Sequence, residues 1–135
     1  MSSIVIIQAR TNSTRLPGKV MLPISSIPIA VLAARRAANT GKKIIIATSN
    51  EETDDALCQE LKKYRIEYFR GELNNVLKRF KSSLDGLSED TIVFRLTADN
   101  TFPDGILLDE LEREFIQNEV KYLVCNGANS GLPYG

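Results

Sequence analysis

The chain has 135 residues, 43% of them hydrophobic and 25% charged, enough for one domain with a packed core. Lys+Arg and Asp+Glu both number 17, so the net charge is zero, which argues against the general nucleic-acid affinity of a basic surface. No apolar run is long enough to span a membrane, and the absence of histidine removes Ser-His-Asp and Cys-His catalysis and histidine-ligated zinc.

The first apolar run, Ile4 to Ile7, reads as a short buried strand. It leads into Gln8-Ala9-Arg10-Thr11-Asn12-Ser13-Thr14-Arg15-Leu16-Pro17-Gly18-Lys19, which crowds Arg10, Arg15 and Lys19 around the hydroxyls of Ser13 and Thr14. Pro17-Gly18 marks a turn, because Pro presets one dihedral and Gly accepts the left-handed region. The segment from Leu22 to Ile29, with Pro23 and Pro28 around Ser25-Ser26, reads as a loop leading to a helix that Pro28 starts. That helix is predicted to run through Ala30–Ala34 to about Asn39, with Gly41 as its stop and Arg35 and Arg36 on a solvated face near its end. Lys43 to Thr48 is a second buried strand. Ser49-Asn50-Glu51-Glu52 then reads as a capping box, with Ser49 as N-cap and Glu52 reaching back. The helix beyond it carries Ala56, Leu57, Leu61 and Tyr64 at helical spacing. Glu51, Glu52, Asp54 and Asp55 in its first turn complement the positive helix end, with metal binding as the alternative.

Ile66 to Phe69 is a short strand ended by Arg70-Gly71-Glu72. Asn74-Asn75 opens a helix with Val76, Leu77, Phe80 and Leu84 on one face, closed by Asp85-Gly86. Thr91 to Leu96 is another strand. After the turn from Thr97 to Asp104 a helix carries Ile106, Leu107, Leu111 and Phe115, and Asp104 reads as its first-turn acid. Tyr122 to Cys125 is expected to be a last short strand, and the tail to Gly135 has no core pattern. Strands alternating with single helices imply βαβ units and a mostly parallel sheet.

Loops at the carboxyl ends of parallel strands are where open α/β sheets bind ligands. The first such loop, filled with guanidinium, ammonium, hydroxyl and backbone N–H, suits a polyphosphate. It is not a Walker A loop, since Val20 follows Gly18-Lys19, and it lacks the three spaced glycines of a dinucleotide loop. Asp99 directly follows a later strand, so cations and a magnesium-binding carboxylate can meet in one crevice. Asp99 also reads as a simple helix-capping residue. Cys58 and Cys125 stand apart without metal-ligand spacing, as suits a reducing cytoplasm.

The run Arg10…Ser13-Thr14-Arg15-Leu16-Pro17-Gly18-Lys19 resembles the opening motif of the sugar cytidylyltransferases, nearest to the spore-coat polysaccharide protein F type and related to the enzymes that activate acylneuraminate and the acid sugar KDO. The resemblance continues at Ile46-Ala47-Thr48-Ser49, at Arg70-Gly71 with Asn75-Val76-Leu77 and Arg79, and at Arg95-Leu96-Thr97-Ala98-Asp99. Ala98 stands where that family usually has Gly. The resemblance implies a Rossmann-like three-layer α/β/α sandwich of the nucleotide-diphospho-sugar transferase type. It implies that residues 1–135 form one nucleotide-binding domain, the N-terminal part of a longer fold. It also implies CMP transfer from CTP to an acidic sugar with Mg²⁺ as cofactor, in the cytoplasm, with neither nucleic acid nor membrane as partner and with a homodimer possible. For individual residues it implies nucleotide binding by Gln8, Ala9, Arg10, Ser13, Arg15, Lys19, Asn75 and Arg79. Arg10 and Lys19 would be the catalytic cations, and Asp99 the metal ligand. Two alternatives stay open: a nucleotide-sugar glycosyltransferase of the same fold, which usually needs an Asp-x-Asp motif where this chain has Asp99-Asn100-Thr101, and a non-catalytic nucleotide-binding remnant.

Overall fold

A computed structural model describes residues 2–12, 16–98 and 103–124. Four strands, β1 (Ser3–Gln8), β4 (Lys43–Ser49), β5 (Tyr68–Gly71) and β6 (Ile92–Thr97), form one parallel sheet in the order β5-β4-β1-β6. Between β1 and β4 lie a two-stranded hairpin, β2 (Pro23–Ile24) and β3 (Ile27–Pro28), and helix α1 (Ile29–Ala37). Helices α2 (Asp55–Lys63), α3 (Val76–Ser82) and α4 (Gly105–Gln117) follow β4, β5 and β6.

The alternation of side chains along each strand sorts the core into two layers. Val5 and Ile7 face α1, α2 and α4, together with Ile46, Leu57, Leu61 and Leu108. Ile4, Ile6, Ile45 and Ala47 face the opposite way, toward Phe80 of α3 and Leu84 and Leu87 beyond it. Crossover handedness explains the split. The chain steps from β1 to β4 to β5 in one direction, then returns past β1 to β6, so a right-handed connection must carry α3 over the other face. The result is the three-layer α/β/α arrangement implied by the sequence, with one short helix as the third layer.

Four local expectations are corrected. The segment with two prolines is not a plain loop: Ser25 (φ 50°) and Ser26 (φ 70°) make the two-residue turn of the β2–β3 hairpin, and α1 begins after Pro28, not at it. The capping box does not form, because Ser49 is the last residue of β4 and its hydroxyl bonds to the Asp54 carboxylate, while no side chain caps the 3-10 turn or α2. In α3 the face is rotated: Arg79 is buried, Phe80 packs on the sheet, and Leu77 is 76% exposed. Tyr122–Val124 form no strand and Tyr122 is 81% exposed, since no neighbouring strand among the described residues offers them a ladder. Asp104 proves to be the N-cap of α4, its carboxylate accepting from Ile106 N at 2.9 Å. Cys58 is buried and free, whereas Cys125 lies outside the described residues.

Candidate nucleotide site at the strand ends

All four parallel strands end on the same side of the molecule. The chain leaves β1 toward β4 on one flank and later returns to β6 on the other, so the switch point lies between β1 and β6. Ligands of open α/β sheets bind in the crevice at such a point. Gln8 pairs there with both Ala47 and Thr97, and Ala98 N donates to Gln8 O at 2.9 Å. The cation-bearing loop and the segment holding Asp99 therefore leave adjacent strands. Ser13, Arg15 and Asp99 themselves lie outside the described residues.

The remaining predicted residues take different positions. Gln8 is buried on the α3 side: its amide nitrogen lies 3.4 Å from Val76 O, and its Oε1 accepts from Arg95 at 3.2 Å. The methyl of Ala9 is in the core, and Ala9 N donates to Ala47 O, so only the peptide of Ala9 can face a ligand. Arg10 is exposed and makes no hydrogen bond or ion pair among the described residues. Lys19 is half-buried and opens a 3-10 turn (Lys19–Met21) anchored by Val20 in the core. Gly18, at φ 74°, precedes it, and Gly18 N donates to Thr11 O at 2.7 Å, which closes the loop at its neck.

Asn75 is an N-cap. Its Oδ1 accepts from Lys78 N at 2.9 Å. Arg79 is only 3% exposed, and its guanidinium donates to Glu72 O at 2.9 Å and Leu73 O at 3.2 Å. It has no carboxylate partner among the described residues, and its Nε is buried without a hydrogen bond. Burial, and then the charge of Arg10, hold the Arg79 guanidinium below its ordinary range, with Asp54 acting weakly the other way. Arg10 and Arg79 are thus brought within electrostatic reach of each other, and Asn75 caps α3.

Three residues contribute in ways the sequence did not assign. Asp54, fully buried, binds Thr11 and Ser49 together. Arg70 ties β5 to the β4 loop, donating to Ser49 O and Glu51 O, each at 2.8 Å, and pairing with Asp55 at 2.7 Å. Gly71 makes room for Arg79: a Cβ there would stand 2.9 Å from Arg79 Cγ. The Arg70-Gly71 pair and the acid run that holds Asp54 were the signals for these, without the reason for either. Among the described residues no group of three acidic, cysteine or histidine side chains could hold a metal. Two surface hollows of about 370 and 360 Å³ lie along α4 and beside β5, and neither reaches the strand ends.

A family model described as cytidylyltransferase matches residues 4–130. The chain belongs to the cytidylyltransferase family. It is 42% identical over 133 residues to the spore coat polysaccharide biosynthesis protein SpsF of Bacillus subtilis, covering 94% of this chain and 55% of that protein. It is 33% identical over 134 residues to the uncharacterized protein MJ1063 of Methanocaldococcus jannaschii, covering 98% and 55%. Among solved structures, a cytidylyltransferase from Leptospira borgpetersenii superposes with a TM-score of 0.78 at 30% identity, over 88% of this chain and 50% of that one. A CMP:2-keto-3-deoxy-manno-octonic acid synthetase solved with CTP superposes at 0.74 with 18% identity, over 89% and 49%, and supports the fold. The chain spans about half the length of the curated relatives it matches. Cytidylyltransferase membership fits the mostly parallel α/β sheet and gives the cationic loop at the β1 terminus a family context.

Proposed function

We propose that this chain is the nucleotide-binding domain of a cytidylyltransferase that moves CMP from CTP to an acidic sugar for surface or spore-coat polysaccharide synthesis. One observation carries the reading beyond family membership. The charge of Arg10 reaches the buried guanidinium of Arg79 at the strand ends, and neither forms an ion pair with an acid among the described residues. Like charges so placed repel, and a polyphosphate would relieve that repulsion.

In this proposal Arg10 and Lys19, with Ser13 and Arg15, hold the β- and γ-phosphates, and the Ala9 peptide and Arg79 border the nucleotide. The crevice end of Gln8 is a wall, since its amide already bridges Val76 and Arg95. Asn75 supports the site by capping α3. A hydroxyl oxygen of the acceptor bonds to the α-phosphorus as the bond from the α-phosphorus to the β-bridging oxygen breaks, pyrophosphate leaves, and the hydroxyl proton passes to water. Arg10 and Lys19 meet the charge that develops on the leaving oxygens. The carboxylate of Asp99 has the hard oxygen donor that Mg²⁺ prefers, and that ion, when bound, neutralises the triphosphate. The same proposal places the enzyme in the cytoplasm and allows a homodimer, which sedimentation would measure.

The test is pyrophosphate release from CTP with a panel of sugar acids, beside thermal shifts with CTP, UTP and UDP-sugars, each with and without Mg²⁺. CTP-specific stabilisation is expected. Where turnover is found, Lys19→Ala should lower it about 10²–10³-fold, the loss typical of one preorganised charge-stabilising donor. Stabilisation by UDP-sugars but not CTP would overturn the assignment in favour of a glycosyltransferase, and turnover by Lys19→Ala at the parent rate would remove Lys19 from the chemistry.

A further inference from the structure

Asp54 is the fully buried carboxylate of the described residues, and it forms no ion pair among them. It sits in a 3-10 turn (Glu52–Asp54) immediately before α2, where an acid usually serves the helix. Yet its side chain caps nothing in α2. Both oxygens point the other way. Oδ1 accepts from the backbone N of Thr11 at 2.7 Å and lies 2.7 Å from the Thr11 hydroxyl. Oδ2 accepts from the Ser49 backbone N at 3.3 Å and from the Ser49 hydroxyl in a short bond. Thr11 O in turn accepts from Gly18 N at 2.7 Å.

This chain of bonds runs from the end of β4 to the neck of the loop spanning 11–18. Arg10 precedes that neck and Lys19 follows it. Burying a carboxylate costs several kcal/mol unless its oxygens are satisfied, so the same acid left at the surface, like its neighbour Asp55, would be the cheaper way to serve a helix. One oxygen is satisfied at the end of β4 by Ser49 and the other at the loop by Thr11, so the burial secures the loop to the strand end. We propose that Asp54 is a positioning residue for nucleotide binding: it fixes the neck between Thr11 and Gly18, and so holds Arg10 and Lys19 in register for the phosphates. This rests on the nucleotide reading above.

Affinity for CTP·Mg²⁺ is measured by calorimetry on the 135-residue chain, at a temperature where circular dichroism shows each variant folded. Asp54→Asn turns one acceptor oxygen into a donor facing donors, and should weaken CTP binding about tenfold or more, the equivalent of one lost charge-assisted bond. The same variant should speed hydrogen exchange at the Thr11 and Gly18 amides. Thr11→Ser, which keeps both bonds, should bind CTP like the parent. Lys42→Met, which breaks an ion pair on α4, should lower the melting temperature and leave CTP affinity unchanged. If Asp54→Asn does not fold, Thr11→Val against Thr11→Ser takes its place: weaker binding in the first alone supports the inference, and equal binding overturns it. A parent chain that binds no nucleotide refutes the nucleotide reading. A parent that binds CTP while folded Asp54→Asn binds it equally refutes the positioning role alone.

Discussion

Replacing Gly71 by Ala tests how β5 and α3 are fitted together. Gly71 ends β5, directly beneath the stem of Arg79. An added Cβ would lie 2.9 Å from Arg79 Cγ, 3.2 Å from Arg79 Cβ and 3.2 Å from a ring carbon of Phe69. The first distance is well inside carbon–carbon contact, so something must move by about half an ångström. The stem cannot simply swing aside, because its guanidinium is held by the carbonyls of Glu72 and Leu73. Either α3 lifts from the sheet or those two bonds break. Overpacking of this kind costs about 1–3 kcal/mol, which for a domain of this length is a fall of about 3–12 °C in melting temperature. Urea unfolding of four proteins (parent, Gly71→Ala, Arg79→Ala and the double variant) closes a double-mutant cycle. With the Arg79 stem gone, Gly71→Ala should cost less than about 0.5 kcal/mol. An equal cost of Gly71→Ala in both backgrounds, or no cost in the parent, would refute the account of Gly71 as room for Arg79.

Other expectations follow from the same contacts. Burial acts to raise the Asp54 pKa, but the bonds from the Ser49 hydroxyl and from Thr11 outweigh it and hold the carboxyl below the usual range. A depressed folded-state value stabilises above the unfolded value of about 4 and is lost as pH falls through the folded one. Acid unfolding of Asp54→Asn should therefore be less steep below about pH 4 than that of the parent, and an unchanged slope would exclude Asp54 as a contributor. Lys42, whose side chain is 7% exposed, bonds Glu112 at 2.7 Å and Asp109 at 2.9 Å. Lys42→Met should cost about 1–3 kcal/mol, less than a fully buried pair because both acids are partly in water, and differential scanning calorimetry would show whether it does. Asn75→Ala removes the cap of α3 and should cost about 1 kcal/mol by urea melts; a neutral result would mean the Lys78 N–H is satisfied by water.

The identity of the strands and their shared direction could be read from local pattern, because runs such as Ile4–Ile7 and Ile44–Ala47 are apolar throughout, as strands covered on both faces must be. Errors fell where a local rule competed with a distant partner. Ser49 and Glu52 have the spacing of a capping box, yet Ser49 is drawn to Asp54 by the bond network that also holds Thr11. Leu77 has helical spacing with Phe80, yet α3 is short and its burial is set by which residue meets Gly71, and that is Arg79. Tyr122–Val124 have strand composition, which confers nothing without an adjacent ladder.

What the amino-acid sequence by itself determined is the concentration of cations after the first strand, the alternation of strands with helices, and the membership of a family through a long contiguous motif. These are properties of neighbours along the chain, and short-range physics expresses them. Only the tertiary structure decided which strand lies beside which, that Arg10 and Arg79 share one end of the sheet, and that Asp54 serves a loop 43 residues away and not its own helix. Those outcomes depend on crossover direction and on where a buried charge can find donors, and neither is encoded within any single window of residues.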